Sequence, residues 1–216
     1  MKVEMYIPDT LNEITLAQYQ KYIKYQKDND DENFLAIKMI EVFCGLRNHT
    51  VRSMKAKSIR DICKILTDMF NEKPQLVKQF EMKGITYGFV PDLENITFGE
   101  YIDLDTFIGD FENMHKAMAV LYRPITQKYK DKYTIEKYTG DKYEDMINMP
   151  MDAVFSSILF FYHLGMELST VMMNSLETQE EENLVQYLSS IESGDGINQF
   201  GVYLDKMLQD LKISLN

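Results

Sequence analysis

The sequence predicts a mostly α-helical globular fold with a minor β component. Three observations predict it. Apolar residues recur at three- and four-residue spacing through Leu16–Lys27, Asn33–Leu46, Ile59–Phe70 and Met151–Leu176. One stretch, Leu76–Val90, alternates instead: Phe80, Met82, Ile85, Tyr87 and Phe89 flank Lys83-Gly84, the pattern of a β-hairpin. Prolines and Thr-x-x-Glu/Gln patterns then punctuate the chain where one period gives way to the other.

Taken in order, Val3–Ile7 reads as a short strand stopped by Pro8. Thr15 and Gln18 form a capping box that opens a helix over Leu16–Lys27, with Leu16, Tyr19 and Ile23 on one face. The acidic run Asp28–Glu32 is a loop, and an apolar helix follows over Asn33–Leu46. Arg47–Ser58 is polar and basic, with room for one helical turn. Ser58 and Asp61 are placed to cap the helix of Ile59, Ile62, Cys63, Leu66 and Phe70, and Pro74 ends that region. After the hairpin, Pro91 stops the second strand. Thr97 and Glu100 then box the start of a helix over Phe98–Ile108.

Met114, Ala117, Met118, Leu121 and Tyr122 make the next helical stripe, ended by Pro124. Thr126–Asp145 reads as an irregular excursion with a strand at Tyr133–Tyr138. Met151–Leu176 is a long helix, and Glu177–Glu182 an acidic loop. A helix at Leu184–Ile191, a break at Ser193–Gly196 and a final helix bearing Phe200, Leu204, Met207, Leu208 and Leu211 form an antiparallel hairpin over residues 178–216.

At 216 residues, 45% apolar and 26% charged, the chain can bury a core without disulfide or metal staples. Its net charge of −11 repels nucleic acid and anionic membrane as a whole, so any phosphate contact requires a local basic patch. Cys44 and Cys63 sit in separate apolar stretches and read as buried, reduced thiols of a protein made in the cytosol. Met1–Ile7 has no export signal, since Lys2 and Glu4 interrupt it. The most apolar run, Ala153–Leu168, meets His163 and Glu167, short of the roughly 20 clean residues of a membrane span. It reads as a central core helix with His163 inside.

An internal duplication organises these elements. Ile7-Pro8-Asp9-Thr10-Leu11-Asn12-Glu13-Ile14-Thr15 resembles Val90-Pro91-Asp92-Leu93-Glu94-Asn95-Ile96-Thr97 with one residue deleted. Tyr19 and Tyr101 each follow the threonine by four residues. Glu32-Asn33 and Glu112-Asn113 each precede a second helix. The expected organisation is a first pseudo-repeat over 1–75, a hairpin and second pseudo-repeat over 76–177, and the terminal hairpin over 178–216, all in one body.

No residue pattern specifies catalysis, a cofactor or a metal. His49, His115 and His163 lack ligand spacing, and Gly84 and Gly88 make no phosphate loop. Asp28, Asp30 and Glu32 begin like a calcium loop, but Asn33 takes the glycine position and Met39 the glutamate position. Asp103, Asp105 and Asp110 read as helix-surface charges. Two stretches remain as interface candidates. Arg47, Arg52, Lys55, Lys57, Arg60 and Lys64 are opposed only by Asp61, which suits a neighbouring acidic copy or phosphate, and equally a solvated connector and helix face. Tyr129, Tyr133 and Tyr138 are interleaved with lysines and carboxylates, a mix better suited to a protein face than to stacking on bases.

The segments Glu13-Ile14-Thr15-Leu16-Ala17-Gln18-Tyr19-Gln20-Lys21-Tyr22, Ile96-Thr97-Phe98-Gly99-Glu100-Tyr101-Ile102-Asp103-Leu104 and Leu121-Tyr122-Arg123-Pro124 resemble structural-module proteins of tailed bacteriophages, the crAss-like group nearest among them. The resemblance implies a role in the virion or its assembly, at the capsid, neck or tail, and transfers no site residue. The expected protein is a non-enzymatic virion component. It would work through interfaces with other phage structural proteins, or with itself in a ring or shell, and pass through the host cytoplasm during assembly. Two alternatives are an assembly chaperone absent from mature particles and a small DNA-binding factor using residues 47–64.

Overall fold

Two helix starts are set by the predicted capping residues, Thr15 and Thr97. In the computed structural model, which describes residues 5–93, 95–130 and 132–177, Thr15 Oγ1 accepts the Gln18 N–H at 3.3 Å and Gln18 Oε1 accepts the Thr15 N–H at 2.9 Å. The same reciprocal pair recurs at Thr97 and Glu100, at 3.3 and 2.6 Å. Each box satisfies N–H groups that a helix start leaves free. They open α1 (Leu16–Asp28) and α5 (Phe98–Phe107). Asp31 caps α2 (Glu32–Phe43) by accepting the Asn33 and Phe34 N–H groups. A short α3 (Asn48–Arg52) and α4 (Ala56–Phe70) follow. Ser58 and Asp61 do not cap α4: it starts earlier, with Lys55 at its N-cap and no side-chain hydrogen bond there.

The hairpin at Lys83-Gly84 forms as predicted, joining β1 (Gln79–Met82) to β2 (Ile85–Phe89). Both turn residues take positive φ, 52° and 74°, the conformation that matches a two-residue turn to the twist of its strands. The region read as an irregular excursion with one strand at Tyr133–Tyr138 instead extends this sheet with two strands, the second overlapping the expected one at Tyr133–Ile135. β3 (Tyr122–Tyr129) pairs with β2, and β4 (Lys132–Ile135) pairs with β3, in an antiparallel sheet of order β1-β2-β3-β4. Thus α6 (Met114–Leu121) ends before Pro124, which lies within β3 opposite Tyr87. The Pro124 carbonyl accepts the Glu136 N–H at 2.9 Å, just past the end of β4. Its missing N–H faces that same side, where the ladder has already stopped, so the proline costs no strand hydrogen bond.

Residues 5–7 of the expected first strand are irregular. The expected copies share capped first helices that pack on the helix following them, α1 on α2 and α5 on α6, but among the described residues only the second has a strand before its Pro-Asp turn. The predicted hairpin over 178–216 lies outside the described residues.

One core joins both halves. Leu16 N–H donates to the Met149 carbonyl and Met151 N–H to the Ile14 carbonyl, tying the start of α1 to the start of α7 (Met151–Glu177). Tyr19 sits 5.2 Å from the ring centroids of Phe70 and Phe155 and 5.3 Å from that of Phe111, gathering α1, α4 and α7. Burial pushes the Tyr19 and Tyr122 hydroxyls far above the ordinary phenol range. Tyr122 donates to the Val77 carbonyl at 2.7 Å and accepts from Ser157 Oγ at 3.0 Å, so its buried oxygen is satisfied. Along α7, Ala153–Leu159 are buried but His163 is exposed, because the helix has by then passed beyond the core. Among the described residues no helix is long and apolar enough to cross a membrane.

Candidate functional site

The basic stretch becomes a ridge. Lys57, Arg60 and Lys64 fall at i, i+3 and i+7 of α4, on the face opposite the buried Ile62, Leu66 and Met69. Arg47 precedes α3, Arg52 closes it, and Lys55 stands at the start of α4. All six side chains are exposed, and none lies within ion-pair distance of a carboxylate among the described residues. The arrangement also opposes the helix dipole. The N-terminal end of a helix carries partial positive charge and favours acidic residues, by about 0.3–1 kcal/mol each. The first turn of α4 has no acidic residue and is instead surrounded by Lys55, Lys57 and Arg60. Among the described residues no carboxylate offsets this placement of cations at the helix start.

The predicted tyrosines do not join this ridge. α3 and α4 pack on α2, whereas the β3–β4 hairpin packs on β2. Tyr129 alone of the three projects outward, 75% exposed at the hairpin end. Tyr133 is a pin: its hydroxyl donates to the Phe89 carbonyl at 2.7 Å and lies 3.2 Å from the Lys78 carbonyl. Tyr138 donates to Asp103 Oδ2 at 2.6 Å and lies beside the Arg123 guanidinium. Burial, and then the Asp103 carboxylate, push its hydroxyl well above the usual phenol range.

Gly88 makes the Tyr133 pin possible. A Cβ there would stand 2.5 Å from Tyr133 Cε2 and 3.0 Å from Ile125 Cγ1, and the anchored hydroxyl keeps the ring from swinging away. Gly88→Ala is expected to cost about 1–3 kcal/mol through overpacking. Tyr133→Ala on top of it should recover part of that loss in urea unfolding. Equal stability of Gly88→Ala and wild type would show that the ring is not confined.

A cleft of about 360 Å³ opens beside Arg123 and Tyr138. Three of its charged side chains are paired: Arg123 with Glu100 at 2.6 Å, Lys142 with Glu136 at 3.3 Å, and Asp145 with Lys83 at 2.6 Å. On the ridge none of the six cations is paired among the described residues. Asp110 caps the turn Phe111–Asn113, and hydrogen bonds from Asn113 and the Glu112 N–H outweigh its burial and hold its carboxyl below the usual range. Asp103 serves Tyr138, so these carboxylates serve the fold. Cys44 and Cys63 are free and half-buried; burial, then the neighbouring Cys63, push the Cys44 thiol up to about 11. Among the described residues no His, Cys, Asp and Glu side chains gather as three or more metal ligands.

One surface was not anticipated. Phe98, Tyr101 and Ile102 share an exposed face of α5, with Phe98 77% exposed. The signal was present, since α5 is also apolar on its other face through the buried Leu104, and a helix apolar on both sides has two faces to cover.

No known protein family, curated protein or solved structure matches this chain.

Proposed function

We propose that the protein is a non-catalytic structural component of a tailed-bacteriophage particle, at its capsid, neck or tail. In this reading the α3–α4 ridge joins it to acidic neighbours in the particle. The observation that carries the proposal is the ridge itself: exposed cations without carboxylate partners among the described residues, massed around a helix N-terminus in a chain of net charge −11. Such a surface gains most from an anionic partner, which supplies attraction and orientation together. The phage assignment rests on the resemblance carried by residues 13–22, 96–104 and 121–124.

Quantitative mass spectrometry of purified particles tests this reading. The expected result is a signal in fixed ratio to the other particle proteins. A second reading, an assembly chaperone, is favoured by the apolar α5 face, which suits a client's exposed apolar surface. It predicts abundance in infected cells and absence from particles. A salt-sensitive shift of duplex DNA, lost in Arg52→Glu/Lys55→Glu/Lys57→Glu, would instead establish a DNA-binding factor.

A further inference from the structure

The ridge has its charge complement within the same sequence. From Glu177 to Asp195 the chain carries Glu177, Glu180, Glu181, Glu182, Glu192 and Asp195 and no lysine or arginine. The ridge carries Arg47, Arg52, Lys55, Lys57, Arg60 and Lys64 against Asp61 alone. Six carboxylates in one stretch thus answer six cations in the other.

The course of α7 decides whether the two meet in one molecule or between molecules. Phe155 packs on Tyr19 and Phe70, in the helical half that holds α3 and α4. Phe160 and Phe161 already pack on Phe89 of the sheet. The helix then continues from Phe161 to Glu177, about 24 Å further. It therefore carries the start of the acidic stretch past the sheet, whereas the ridge belongs to helices packed on α2. The start of the acidic stretch, Glu177, is thus carried away from the helices that bear the ridge, and a start so placed favours pairing between copies.

We propose that the α3–α4 ridge of one copy binds the acidic stretch at residues 177–195 of a second copy. The contact is head-to-tail, because each copy offers a different surface to each neighbour. Repetition gives a ring if the rotation closes and a filament if it does not. This inference rests on the reading of the ridge as a protein interface and names the partner.

The test uses the full chain in sedimentation velocity. At about 0.05 M salt the wild type should associate as its concentration rises, and association should weaken at least about tenfold at about 0.5 M salt. Arg52→Glu/Lys55→Glu/Lys57→Glu and Glu180→Lys/Glu181→Lys/Glu182→Lys should each be monomeric, with unchanged far-ultraviolet circular dichroism. Mixing the two variants should restore association, since each then meets its opposite charge. Neither pairing within one chain nor DNA binding produces that rescue. A wild type that stays monomeric at low salt, or a mixture that fails to associate, overturns the proposal. A monomeric wild type whose ridge still couples to a different particle protein would remove self-pairing and leave the structural reading standing. A ridge that couples to nothing would remove both.

Discussion

Arg123→Met is expected to destabilise the protein by about 3–5 kcal/mol, the cost of leaving a buried charge without its partner. Arg123 Nη2 lies 2.6 Å from Glu100 Oε1, and the two side chains are 12% and 6% exposed. The other Glu100 oxygen is held by the Thr97 N–H and hydroxyl at 2.6 and 2.7 Å, so the carboxylate cannot turn away to water. One residue thereby links the α5 capping box to β3. Burial pushes the Glu100 carboxyl up, but the Thr97 hydrogen bonds and the Arg123 guanidinium outweigh it and hold it below the usual range.

The pH dependence follows from that direction. A carboxyl whose folded pKa lies below its unfolded value, about 4.3, stabilises the fold above that pH and ceases to do so as pH falls through the folded value. Urea unfolding should therefore show a large gap between wild type and Arg123→Met at about pH 7 that narrows below about pH 4. Arg123→Met/Glu100→Gln should recover most of the loss, because no charge is then stranded. A single variant as stable as wild type at neutral pH would mean that the pair is solvated.

Phe155→Ala is expected to cost a similar amount, about 3–5 kcal/mol. Phe155 is 2% exposed and sits edge-on to Tyr19 at 5.2 Å, with Phe70 at 6.5 Å. Truncation removes the ring through which α7 meets α1 and α4, and the pocket left behind is walled by rings that are themselves fixed. Phe98→Ala is the matched control. The same chemical change at a ring 77% exposed should shift stability by no more than about 0.5 kcal/mol. Comparable losses at both positions would show that α5 is covered in the isolated protein, or that Phe155 is not at the centre of the core.

These core contacts mark what sequence reasoning could reach. The helices α1, α2, α4 and α7 were legible because each carries apolar residues at helical spacing, and α5 because Thr97 and Glu100 box its start. Thr15, Thr97 and the Lys83-Gly84 turn were legible because their chemistry is local: a hydroxyl three residues from a glutamine or glutamate, and a turn pair able to take positive φ. Of the β3–β4 hairpin only part of β4 was legible; β3 and the pairing were not, since the hairpin's outward side is lysine, glutamine and threonine and its inward residue Tyr133 gains its meaning only against Gly88 across the sheet. Pro124 misled for the same reason. A proline ends a helix by local rule, but whether a strand tolerates it depends on which neighbour its missing N–H faces. Of the candidate site, the ridge was visible as a run of cations, and its lack of ion pairs among the described residues became visible only once the helices were packed. Tyr133 and Tyr138 moved the other way, from surface candidates to structural pins.

The central claim is that the cations of α3 and α4 meet carboxylates on another chain. Carbodiimide coupling in the native assembly, which joins a lysine amine to a carboxylate only in direct contact, tests it most directly. The expected result is cross-links from Lys55, Lys57 or Lys64 to aspartate or glutamate residues of a neighbouring molecule, suppressed at high salt. Ridge lysines that form no intermolecular cross-link, while remaining fully open to amine acylation in the same assembly, would contradict it.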